Sequence, residues 1–135
     1  MDTPAPDPAA DPTPDPTADR AVTPLMDAPI ARQVFVCTAK ACAANGSEAT
    51  LEAFRAQLIE KGLLFYKGNR AGSVSCVHCG SIGFCQIGPA VMVYGPGGGA
   101  WYAHVTADRV AEIIEQHVVG GEVVEGLVRK RLGPA

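Results

Sequence analysis

A chain of 135 residues with 47% hydrophobic content has room for one modest core, and its net charge of -3 and pI near 5.5 give no basic field of the kind that collects phosphate backbones. No run approaches the roughly 20 apolar residues that span a bilayer, and the first thirty residues lack the positive start and apolar stretch of a secretory leader. Nucleic acid and membrane are therefore not expected partners, and the expectation is a soluble, cytoplasmic protein.

Residues 1–30 are built from Asp, Pro, Thr and Ala, as in DTPAPDPAADPTPDPTAD, and hold eight of the eleven prolines. Proline fixes φ and deletes donors, the aspartates repel, and little here repays the entropy of ordering, so an extended, polyproline-rich tail is predicted. From Gln33 the pattern changes. Gln33-Val34-Phe35-Val36 reads as a buried strand ending at Cys37. Leu51, Phe54, Leu58 and Ile59 then recur at helical spacing, which predicts a helix over 48–61 with Asn45 or Ser47 as its cap and Gly62 as its stop.

Residues 63–66 are apolar but short, and read equally as a strand or as a segment packing where the helix ends. Residues 73–77, 91–94 and 100–104 alternate as strands, the last two joined through Gly95-Pro96-Gly97-Gly98-Gly99 as a hairpin. Thr106 is placed as the cap of an amphipathic helix carrying Val110, Ile113, Ile114 and His117 or Val118, closed by Gly120-Gly121. A short terminal helix is expected within 123–132. The order β-α-β, hairpin, α gives an α/β, thioredoxin-like domain over 31–135: a mixed sheet of about four strands with two main helices.

Five cysteines are many for such a chain, and in a reducing compartment they point to metal or redox chemistry rather than structural disulfides. Cys37 and Cys42 form C-x4-C where a strand passes into a helix. Cys76, Cys79 and Cys85 cluster in a glycine-containing region between two strands. Four thiolates converging from two loops suit an iron–sulfur cluster, because soft sulfur satisfies iron and small residues such as Gly80 and Gly83 let backbone N–H groups approach the sulfides. Two ferric ions, two sulfides and four thiolates sum to about -2, and reduction takes this to about -3, which a partly buried site disfavours, so the potential falls.

The residues resemble the thioredoxin-like [2Fe-2S] ferredoxins, whose relatives include the small cluster-bearing subunit of bacterial NADH dehydrogenases and NAD-linked hydrogenases. The resemblance spans residues 32–132. It rests on VCTAKACAANGSE, similar to the family's first ligand pair, and on GSIGFCQIGPAVMVYGPGGGAWYAHVTADRVAEIIEQHVVGGE, similar to its second ligand loop, hairpin and last helix. It implies a [2Fe-2S] cluster, one-electron transfer between redox partner proteins, and a homodimer, with a role as subunit or regulatory module of a larger oxidoreductase as the variant reading.

One position departs from the family pattern. Its second pair is C-x3-C, and alignment on Cys85-Gln86-Ile87-Gly88-Pro89 puts Ser81 where the third ligand belongs. Cys79, two residues upstream and at most about 7 Å of chain away, is the first replacement. Cys76 is the second, although as a buried strand residue it reads better as core, and a Ser81 alkoxide is the third. The expected ligand set is Cys37, Cys42, Cys79 and Cys85. A four-cysteine zinc scaffold from Cys37, Cys42, Cys76 and Cys79 competes with it but leaves Cys85 unexplained. A dithiol oxidoreductase using Cys76-Val77-His78-Cys79 competes too, though its motif opens no helix. His78 lacks the second histidine of a Rieske site, His104 and His117 read as strand and helix-end residues, and Arg129-Lys130-Arg131 as a solvated helix terminus. Trp101 and Tyr102 read as core or as a subunit contact.

Overall fold

The computed structural model describes residues 28–81 and 87–133. Most of the proline-rich tail thus lies outside the described residues. The first strand, β1 (Arg32–Cys37), is followed by a short helix α1 (Lys40–Ala44), a long helix α2 (Ser47–Glu60), and the strand β2 (Val74–Cys79). β1 and β2 run parallel, as the crossover through α2 requires.

α2 buries Ser47, Thr50, Phe54 and Leu58, one narrow stripe at spacings of three and four. Leu51 is only partly buried, and Ile59, expected on the same face, is 42% exposed. The cap differs from the expected one. Gly46 precedes the helix at φ 94°, a left-handed conformation open to glycine, while Asn45 turns its Nδ2 back to the Ala41 carbonyl at 3.0 Å and Ser47 is the first helical residue. Residues 63–66 make a single parallel bridge from Leu64 to Val74, and Phe65 N–H reaches the Val74 carbonyl at 2.8 Å. They touch the outer edge of β2 without extending the sheet as a strand.

β3 (Val91–Gly95) and β4 (Gly98–Tyr102) form the expected hairpin, with Pro96 and Gly97 as its two-residue turn and Gly97 at φ 89°. Proline's fixed φ followed by a positive-φ glycine is what a type II turn asks for. Gly98, at φ 113°, lies against the Leu132 carbonyl, and no side chain fits between them. Beyond Thr106 the last helical segment is a composite. A 3-10 turn (Ala107–Arg109) leads into α3 (Val110–Ile113), which continues as a π-helical stretch (Ile114–Val119). The Thr106 hydroxyl bonds the Asp108 carboxylate rather than a backbone N–H.

The terminal helix expected within 123–132 is instead β5 (Val128–Leu132), paired antiparallel to β4. Its exposed Arg129, Lys130 and Arg131 therefore charge the outer edge of a sheet, where charge discourages pairing with another chain. The sheet order is β2-β1-β3-β4-β5, five strands where about four were expected.

One face carries the core. Val34, Val36, Val74, Cys76, Val91, Val93, Ala100 and Tyr102 pack against Phe54 and Leu58 of α2 and against Val110, Ile113, Ile114 and Val118. Alternation puts Phe35, Val77, Met92, Tyr94 and Trp101 on the opposite face. There Phe35 and Tyr94 meet edge to face at 5.9 Å, and Trp101 Nε1 donates to the Tyr94 hydroxyl at 2.9 Å.

Behind the core face, the Tyr102 hydroxyl and His117 Nδ1 are 2.7 Å apart, and that hydroxyl also accepts the Val124 N–H at 3.1 Å. His117 is buried, and desolvation, followed by the nearby Arg32, holds its pKa below the usual imidazole value. It is thus a neutral core residue, not a charged one complementing a helix end. His104 lies past the end of β4 at φ 56°, exposed, rather than in the strand.

Candidate iron–sulfur site

The parallel pairing of β1 with β2 is what assembles the site. Both strands finish at the same end of the sheet, and the register sets Cys37 directly beside Cys79. In a parallel ladder such neighbours project to the same face, so two sulfurs 42 positions apart in sequence become adjacent. The loop leaving β1 is stitched to the end of β2 as well: Thr38 N–H donates to the Cys79 carbonyl at 2.9 Å, and its hydroxyl lies 3.4 Å from the same oxygen and from His78 Nδ1.

Cys42 enters from α1. It and Cys37 are fully buried around Ala90, with Cys79 and Ala39 partly buried against them. Cys37 N–H donates to the Ala90 carbonyl at 3.0 Å, which holds the start of β3 against this group. Alanines at 39 and 90 leave room that larger side chains would fill. Three thiols, small neighbours and a strand-end location make a soft-donor site at the sheet's edge.

Cys76 sits elsewhere. It is three residues before Cys79 on one strand, an odd spacing that turns the two side chains to opposite faces. Cys76 is 2% exposed among the main core residues, its carbonyl accepting from Arg55 Nη1 at 2.9 Å. Burial pushes its thiol up to about 12, with Arg55 only partly opposing that. A reactive dithiol needs the reverse: exposure and a lowered pKa. Neither the dithiol reading of Cys76-Val77-His78-Cys79 nor a zinc site shared by Cys76 and Cys79 is compatible with this placement.

Among the described residues no three His, Cys, Asp or Glu side chains converge as a single metal ion requires. Cys85 lies outside the described residues, while the segment after it is held in place: His104 N–H donates to the Ile87 carbonyl at 2.9 Å and Val105 N–H to Pro89 at 3.0 Å. Ser81 is exposed.

Sequence reasoning missed Ser47. It was read as a helix cap, and its burial on the Thr50–Phe54–Leu58 stripe was legible only in the three- and four-residue spacing of small polar with large apolar positions.

A family model for thioredoxin-like [2Fe-2S] ferredoxins matches residues 25–118. A 2Fe-2S ferredoxin of Clostridium pasteurianum is 36% identical over 104 residues, which cover 70% of this chain and 91% of that protein. Another from Aquifex aeolicus is 33% identical over 105 residues, 72% of this chain and 87% of the relative. Among solved structures, a thioredoxin-like [2Fe-2S] ferredoxin from Aquifex aeolicus superimposes with a TM-score of 0.63 at 31% identity, covering 78% of this chain and 96% of that one. A variant of the same Aquifex protein with one cysteine replaced by serine gives a TM-score of 0.61 at 32% identity, over 73% of this chain and 98% of that one. A sheet that brings strand-end cysteines together, and relatives matched along nearly their whole length, lead to one conclusion: the chain belongs to the thioredoxin-like [2Fe-2S] ferredoxin family.

Proposed function

We propose that Cys37, Cys42, Cys79 and Cys85 hold one [2Fe-2S] cluster and that the protein passes single electrons between redox proteins of the cytoplasm. One observation supports the choice of Cys79 as the third thiolate: it packs with Cys37 and Cys42 around Ala90, whereas Cys76 faces the core and Ser81 is exposed. The residues fit the group chemically, because soft thiolates bind iron and the alanines beside them admit its bulk. When bound, the cluster takes up and releases one electron.

The chain's own residues shape that exchange. Full burial of Cys37 and Cys42 withdraws negative charge from water, which disfavours the reduced state and lowers the potential. The half-buried Cys79 marks the side nearest solvent, where a partner approaches.

A homodimer completes this reading, supported by the second face of the sheet. Val77, Phe35, Met92 and Trp101 are consecutive register partners across four strands, and Val77 is 42% exposed. A contiguous apolar row of this kind suits a subunit contact.

Anaerobic purification with iron, acid-labile sulfide and visible absorption measurements tests the proposal. About two irons and two sulfides per chain are expected in the wild type and in Cys76→Ala, with loss of both in Cys79→Ala. A chain that binds zinc, or no metal after reconstitution, refutes it.

A further inference from the structure

Among the described residues, Ser47 Oγ is the buried side-chain polar atom that has no hydrogen-bond partner, and the residue is 0% exposed. A hydroxyl withdrawn from water without a partner is costly enough that it normally signals an acceptor still to be supplied.

Its position says which acceptor. Ser47 opens the fourteen-residue helix α2, at the end of the sheet where β1 and β2 finish. It follows Cys42 by five residues through a tight turn in which Asn45 N–H bonds the Cys42 carbonyl at 3.0 Å and Gly46 N–H bonds Ala43 at 3.1 Å. One turn further along the same stripe, the Thr50 hydroxyl donates to the Val105 carbonyl at 2.6 Å, and Val105 N–H in turn donates to Pro89. The first turn of α2 is thereby tied to the segment running from Pro89 to Ala90, and Ala90 packs on Cys37 and Cys42. The helix presents its positive end to this same region, which favours an anionic acceptor.

We infer that the Ser47 hydroxyl is a positioning and tuning group for the cluster, donating its hydrogen bond to a cluster sulfide. The inference rests on the cluster assignment above. A donor aimed at sulfur stabilises the more negative, reduced state, so Ser47 raises the reduction potential that burial lowers.

Ser47→Ala and Ser47→Thr, each as full-length holoprotein and as apoprotein, test it. In the holoprotein, Ser47→Ala should shift the one-electron equilibrium about threefold to tenfold toward the oxidised form, about 28 to 59 mV at 59 mV per tenfold. Ser47→Thr, which keeps the hydroxyl, should restore the wild-type potential. Iron–sulfur stretching bands in resonance Raman spectra should shift in deuterated water for the wild type and Ser47→Thr, and shift less for Ser47→Ala. In the apoprotein, the urea midpoint of Ser47→Ala should equal or exceed that of the wild type, because alanine removes a hydroxyl that lacks a partner there.

An unchanged potential in Ser47→Ala, or an apoprotein weakened by that substitution, overturns the inference: the hydroxyl's partner would then be protein. A wild-type chain that takes up no iron and sulfide overturns the cluster assignment instead, and this inference with it.

Discussion

Cys76 offers a test in which proton chemistry reports on placement. Its thiol is raised from 9.0 to about 12, chiefly by desolvation. At 1.36 kcal/mol per pH unit, ionising it in place costs about 4 kcal/mol more than in an unfolded chain. That cost stands against a reactive thiolate at this position.

The same burial makes a stability signature with a definite sign. Between pH 9 and 12 the unfolded chain releases this proton while the folded chain keeps it, so the native state binds more protons and its stability falls as pH rises. By pH 10 this share amounts to about 1 kcal/mol. Cys76→Ala removes it, and also removes one buried sulfur, which costs about 1 kcal/mol at any pH by analogy with single-group core deletions. Urea denaturation of wild-type and Cys76→Ala apoprotein should therefore show the wild type ahead by about 1 kcal/mol at pH 7.5 and the two nearly level at pH 10. A gap that stays constant between those pH values, or a Cys76→Ala protein that loses its iron, would refute the reasoning.

Three further outcomes are expected. His117 is neutral and buried, with its pKa held below 6.5, so the unfolded chain takes up a proton that the folded chain refuses, and stability should fall as pH drops below about 6.5; His117→Asn should flatten that acid limb in urea titrations at pH 5 and 7.5. Val77→Asp places a charge at the exposed end of the apolar row, and for the proposed dimer sedimentation velocity should show weaker self-association with iron content unchanged, whereas an unaltered dimer would exclude this face. Gly98→Val forces a side chain against the Leu132 carbonyl at φ 113°, and should cost about 3 kcal/mol or more in thermal or urea unfolding by displacing β5 from β4.

β1, α2 and the β3–β4 hairpin were legible within a residue or two, because short apolar runs bounded by turn residues marked the strands and three- and four-residue spacing marked the helix. β5 was not legible. Val128 and Leu132 are four apart, a helical spacing, and an edge strand with three exposed basic residues between them shows no alternation that would betray it. The cysteines divided in the same way. Reading the second strand as ending at Val77 left Cys79 in a loop, able to sit anywhere, and Cys76 as a rival. Extending the strand to Cys79 makes the odd spacing decisive, since it sends one sulfur to the core and the other beside Cys37. His117 was misread because its partners, Tyr102 and Arg32, come from distant strands that no local pattern reveals.

The parallel ladder between β1 and β2 also decides when the site can exist. Cys37 and Cys79 meet through a pairing of strands far apart in sequence, the class of contact that forms late because a long loop must close first. Slippage of that ladder by one residue would bring His78 beside Cys37 and turn Cys79 away. With the proposed ligand set, cofactor uptake would report on that register: a polypeptide with β1 and β2 out of step would offer iron the wrong donor.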